Sequence, residues 1–171
     1  KSRKGPQLLL RALARIGRRA PPWRLQLIGD GPGLPGLRRL VRRLRLDGVT
    51  FYGRQDDVYR FLRRSDILVI PGLEETFPMA GIEGLFAGQA VLASRCGGLP
   101  EMIQHGETGW LFEPGDVAAL ARGLLRLMVD RELRLRLAVA GQQRAKAYFR
   151  LERMCMDLEA VYASLVGDVA T

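Results

Sequence analysis

A chain of 171 residues, 47% of them hydrophobic, is one ordinary domain, long enough to bury a core. No stretch approaches 18 consecutive apolar residues, the length expected of a transmembrane helix. No signal-peptide pattern opens the sequence, and two cysteines, Cys96 and Cys155, match neither a disulfide framework nor a zinc site. A soluble cytoplasmic domain with reduced thiols is therefore expected. The net charge of +9 admits nucleic acid, an anionic membrane surface or a solvated basic face, and no nucleic-acid module accompanies it. The solvated face is the preferred reading.

Leu9, Leu10, Leu13 and Ile16 recur at helical intervals and predict a helix from Pro6 to Gly17. After the turn Ala20-Pro21-Pro22 comes a strand, Leu25–Ile28, and then a glycine- and proline-rich loop over 29–36. That loop holds G-x-G-x-G and lacks the dinucleotide fingerprint, which argues against a nicotinamide cofactor. A basic helix follows. Its Arg38, Arg39, Arg42 and Arg45 form a stripe opposite Leu37, Leu40, Val41 and Leu44.

Val49–Tyr52 reads as a strand, and Asp56 or Asp57 as the cap of a helix through Val58, Phe61 and Leu62. Ile67–Ile70 is a buried strand, followed by a loop with adjacent carboxylates and a helix opening near Pro78, in its first turn. The unpaired amides of Met79 and Ala80 would then face the strand end and favour an anion. Val91–Ala93 and Trp110–Phe112 complete five strands, with a short helix over 99–104 between them. Asp116 caps a helix through Val117, Leu120, Leu124 and Met128, and helices over 132–149 and 151–165 end the chain. Strands alternating with helices predict an α/β fold, a Rossmann-like parallel sheet with helices on both faces. Ligands of such sheets sit beyond the carboxyl ends of the strands.

Glu75-x7-Glu83, framed by an apolar strand ending in Pro71 and followed by Gly88-Gln89-Ala90-Val91, resembles the E-x7-E segment of retaining glycosyltransferases of family 4, in their C-terminal nucleotide-sugar-binding domain. Lys4-Gly5, Leu27-Ile28-Gly29-Asp30-Gly31-Pro32, Val49-Thr50-Phe51-Tyr52-Gly53, Cys96-Gly97-Gly98-Leu99-Pro100-Glu101 and Gly106-x-x-Gly109-Trp110 stand in the family's order. The resemblance covers nearly the whole chain. It implies the C-terminal half of a GT-B enzyme, with residues 1–171 forming one donor-binding domain. It also implies a strand before Lys4-Gly5 and an N-terminal acceptor-binding domain. This sequence starts too late for either, so a fragment, inactive by itself, is expected.

The resemblance implies transfer of a hexosyl group from a nucleoside-diphosphate sugar to a glycan, lipid or other acceptor. It assigns Glu75 to hydroxyls of the transferred sugar and Glu83 to the ribose diol, whose two O–H donors one carboxylate can accept. Lys4 and the amides of Met79 and Ala80 would meet the diphosphate, where charge develops as the bond breaks. Gly29, Arg54, Phe77 and Pro78 complete the expected donor site, with Arg54 near the base.

Each has a plainer competitor. The helix dipole alone favours Glu83, Glu74 shows that glutamate is common in this loop, a terminal lysine is usually solvated, and Phe77 could staple the helix start. Gly97 and Gly98 are read as needed for backbone angles, and His105 has no assigned task. Pro78 replaces a frequent glycine and Gly72 a frequent serine.

No cofactor and no metal are expected, the nucleotide sugar being a substrate. Two alternatives stand beside this reading: a GT-B sugar-nucleotide epimerase, and a non-catalytic basic module for nucleic acid or anionic lipid, nucleic acid being the weaker choice. Remaining expectations are an interaction with the N-terminal domain, peripheral attachment at the inner face of a membrane, and self-association through the apolar face of 151–165.

Overall fold

The computed structural model describes residues 3–167. Its strands are β1 (Leu25–Ile28), β2 (Val49–Gly53), β3 (Ile67–Ile70), β4 (Ala90–Ser94) and β5 (Trp110–Phe112). The helices are α1 (Pro6–Ile16), α2 (Leu34–Leu44), α3 (Tyr59–Leu62), α4 (Met79–Phe86), α5 (Leu99–Met102), α6 (Val117–Val129), α7 (Arg131–Tyr148) and α8 (Leu151–Gly167). All the expected strands are present, and every pairing between them is parallel.

They do not form one continuous sheet. β1 pairs with β2, while β3, β4 and β5 form a second sheet in that order. β1 and β3 therefore each keep an unpaired edge. The burial pattern follows from this. β4, with a neighbour on each side, is buried at all five positions, whereas β1 is only half-buried throughout and β3 is buried only at Ile70.

Alternation along the strands sorts side chains into two cores. Ile67, Val69, Leu92, Trp110 and Phe112 face a cluster built with Leu9, Leu13 and Ile16 of α1 and Leu120, Leu124 and Leu127 of α6. Leu68, Ile70, Val91, Ala93 and Leu111 face the opposite cluster, with Leu85 of α4, Leu99 and Met102 of α5 and Ala145 of α7. Leu92 and Leu10 are fully buried, each contributing about 2 kcal/mol on that account. α1 packs between α2 and α6, and α7 lies against α4 and β4.

Local chemistry sets the boundaries. Asp116 accepts the Ala119 N–H at 2.8 Å and Asp130 the Leu133 N–H at 2.9 Å, capping α6 and α7. Asp57 accepts the Arg60 N–H, yet α3 is a single turn. α2 begins inside the expected loop, because Pro35 suits a first turn. Arg45 ends that helix in the left-handed conformation instead of extending its stripe. Pro78 also stands outside its helix: with ψ at 114° it is the extended residue before α4. All described side chains of α8 are exposed.

Candidate active site

β3 ends at Ile70, and the chain then turns through Pro71 to Pro78 before entering α4. This loop meets the start of the chain. The Leu73 N–H donates to the Arg3 carbonyl at 2.7 Å. Gly5, at φ 67°, lies so close to Pro71 that a Cβ there would overlap the Pro71 carbonyl oxygen. Only glycine combines that angle with that approach. Lys4 is thereby set over the loop, and its Nζ donates to Glu75 Oε2 at 2.7 Å.

The pair is unequal in exposure. The Glu75 side chain is 3% exposed and that of Lys4 74%, so the lysine closes a carboxylate into the loop while keeping its own face to solvent. Glu74 differs sharply: it is 71% exposed and meets Arg3 only at 3.7 Å. The two glutamates, indistinguishable by residue type, thus differ in burial and in partner. Gly72 contributes to the seating, since a Cβ there would crowd the Glu75 carboxylate.

A second grip comes from the turn after β4. Gly97, at φ 53°, leaves no room for a Cβ beside the Glu75 carbonyl oxygen, and the Gly98 N–H donates to the Thr76 carbonyl at 2.6 Å. Gly98 itself has an ordinary φ of −77°. Its lack of a side chain matters because the Phe77 ring occupies the space, which corrects the reading that both glycines serve backbone angles. Phe77 also meets Phe149 edge to face at 6.2 Å. Cys96 reaches the same loop, its Sγ donating to the Gly72 carbonyl at 3.7 Å.

α4 then starts at Met79. The Gly81 N–H is taken by the Pro78 carbonyl at 2.9 Å, while the amides of Met79 and Ala80, the first two of the helix, have no partner within it. Glu83 lies in the second turn and is exposed. Gly81 and Gly84 are buried on the opposite side of α4, where Gly84 packs against Leu68. Small residues on the inner face bring the helix close to β3 and leave Glu83 outside.

The remaining candidates stand at other strand ends. Gly29, at φ 117°, follows β1 and donates its N–H to the Gly53 carbonyl at 2.7 Å; Arg54, exposed, follows β2. Glu75 follows β3 and Gly97 follows β4, so all lie beyond the carboxyl ends of parallel strands, where such folds place ligands. His105 is structural: its Nδ1 accepts the Leu111 N–H at 3.0 Å and its ring rests on Trp110. Gly5 and Arg3, which build the site from the chain start, carried no signal beyond the Lys-Gly pair.

The arrangement can offer an anion two helix-terminal amides and a solvent-exposed ammonium, and can offer hydroxyls two carboxylates. Comparison with known proteins shows the family. Residues 1–144 match the family model for glycosyl transferases group 1. The chain belongs to the group 1 glycosyltransferases.

Among curated relatives of this family, N-acetyl-alpha-D-glucosaminyl L-malate synthase of Bacillus anthracis is 34% identical over 146 residues, covering 85% of this chain and 38% of that protein. A C-terminal domain of a group 1 glycosyltransferase from Francisella tularensis superposes with a TM-score of 0.79 at 27% identity, covering 88% of this chain and 82% of that one. The Anabaena protein HepE in complex with UDP-glucose superposes at 0.87 with 26% identity, over 96% of this chain and 46% of that one. The chain spans less than half the length of the curated relatives it matches. Its fold is that of the C-terminal domains of GT-B glycosyltransferases.

Proposed function

We propose that this chain is the donor-binding domain of a retaining glycosyltransferase that moves a hexosyl group from a nucleoside-diphosphate sugar to an acceptor. The observation that carries the reading is the Lys4–Glu75 pair at 2.7 Å, seated at the end of β3 just before the start of α4. The solved HepE complex contains UDP-glucose, which supports a donor of that class.

In this reading the diphosphate lies at the Met79 and Ala80 amides. Lys4, free on its solvent side, turns from Glu75 to the phosphate and offsets the charge that grows there. Glu75, released from the ammonium, accepts hydrogen bonds from hydroxyls of the transferred sugar and orients the anomeric carbon. Glu83, on the exposed face of α4, accepts both ribose hydroxyls. Gly29 and Arg54 flank the base, and Phe77 and Pro78 shape the wall of the loop.

The acceptor oxygen forms its bond to the anomeric carbon on the face from which the diphosphate departs. The bond from that carbon to the phosphate oxygen breaks, its electron pair stays with the diphosphate, and a phosphate oxygen takes the acceptor proton. No protein–sugar bond is needed, so hydrolase logic does not apply. An N-terminal domain supplies the acceptor side, and α8, unpacked here, is the element available to reach it.

Steady-state kinetics of an enzyme comprising both domains tests these roles. Glu83→Ala should raise the donor KM roughly 10-fold or more with little change in kcat, while Glu75→Gln should lower kcat about 100-fold. An unchanged kcat in Glu75→Gln would refute the assignment, and a product of inverted anomeric configuration would refute retention.

A further inference from the structure

One helical layer of this molecule has a composition the donor site does not explain. α1, the single 3-10 turn after it (Gly17–Arg19), α2 and α6 contain no aspartate or glutamate. α1 carries Arg11 and Arg15, the turn Arg18 and Arg19, α6 Arg122 and Arg126, and α2 its arginine stripe, all exposed. α1 packs on both α2 and α6, so these charges share one side of the protein.

Carboxylates flank these helices without lying within them. Asp116 and Asp130, at the ends of α6, hold backbone amides, and the ion pairs described join Arg3, Lys4, Arg95, Arg134 and Arg153 to their partners. No arginine of the layer takes part in them. Between α1, the turn after it and α6, a groove of about 250 Å³ is lined by Arg15, Arg19 and Arg122 with Ala118, Ala121 and Leu125. Arg19 is fixed there by donating to the Arg15 and Ile16 carbonyls at 3.0 and 3.2 Å.

We propose that this layer docks the protein on an anionic phospholipid bilayer, with the groove receiving a lipid phosphate. Three helices side by side make a broad cationic face, suited to a planar array of phosphates and less to a duplex groove. The rings beside it are already covered: Arg38 stacks over Phe51 at 4.7 Å and Arg126 over Trp110 at 4.9 Å. They offer no platform for bases, as binding to single strands requires. Three arginine side chains line one groove together with the apolar atoms of Ala118, Ala121 and Leu125, a combination suited to a phosphate joined to a glycerol backbone. The proposal is independent of the donor chemistry.

Co-sedimentation of the 171-residue chain with vesicles tests it, using phosphatidylcholine alone or mixed with phosphatidylglycerol. Binding should require phosphatidylglycerol and weaken with salt. Each basic residue at such a surface is worth about a factor of five, so Arg15→Gln, Arg19→Gln and Arg122→Gln together should lower partitioning about 100-fold. Arg39→Gln, Arg42→Gln and Arg43→Gln, all on the solvent side of α2, form a second triple that carries the test should loss of the Arg19 bonds unfold the first. The charge-matched control Arg131→Gln, Arg136→Gln and Arg150→Gln, outside the layer, should retain binding. Equal loss in the control, equal binding to neutral vesicles, or displacement by duplex DNA at matched phosphate concentration would overturn the proposal.

Discussion

At the scale of single residues, the site is built by glycines that permit contact more than by groups that react. Gly97 shows this most directly. Alanine there would have to hold φ near 53° and would overlap the Glu75 carbonyl oxygen. Strain of this kind, combined with overlap against backbone, costs about 2–4 kcal/mol. Gly97→Ala should therefore lower the urea midpoint and, in protein that still folds, displace the Glu75 loop. An unchanged midpoint would mean that Gly97 does not grip the loop. The Lys4–Glu75 contact spans 71 positions in sequence and leaves no periodic trace. Spacing to Glu83 and the Lys-Gly pair were the only signals for it, and neither predicted that Glu75 would be buried while Glu74 was exposed.

Among elements, strands were legible because strands of parallel sheets are short apolar runs between turn signals. β3 and β5 match the reading residue for residue, and β4 is longer by one residue at each end. Helix starts were less legible where proline intervenes. Pro35 lies inside α2 and Pro78 outside α4, a difference decided by ψ, which proline does not fix. α8 was readable as amphipathic, but periodicity does not say what covers a face. Leu151, Met154, Leu158, Val161 and Leu165 are between 46% and 66% exposed. Without tertiary packing a helix of this length is marginal. Its amides should exchange with deuterium orders of magnitude faster than those of β4, and ending the chain at Arg150 should leave the thermal midpoint nearly unchanged. Protection of α8 equal to that of β4 would contradict this and would point to self-association.

For the molecule as a whole, the expected single sheet is divided between β1 and β3, each of which keeps a free edge. Buried parallel strands normally have neighbours on both sides. Arg3 is bonded to Leu73, just past the carboxyl end of β3. A strand laid along β3 and leading into Arg3 would run parallel to it and satisfy that edge. A longer chain carrying such a strand should unfold at a temperature several degrees higher; equal midpoints would contradict this placement. The resemblance implied a further strand before Lys4-Gly5, but apolar runs identify strands without saying which edges are joined, so the division between β1 and β3 was not legible.

The central claim is that Glu83 and the start of α4 hold the nucleotide of a sugar donor. Calorimetric titration of UDP, GDP and ADP into the chain and into Glu83→Ala, each at two salt concentrations, tests it most directly. One nucleotide should be preferred, with binding retained in salt and lost in Glu83→Ala. Equal binding of all three that collapses with salt and is indifferent to Glu83 would contradict it.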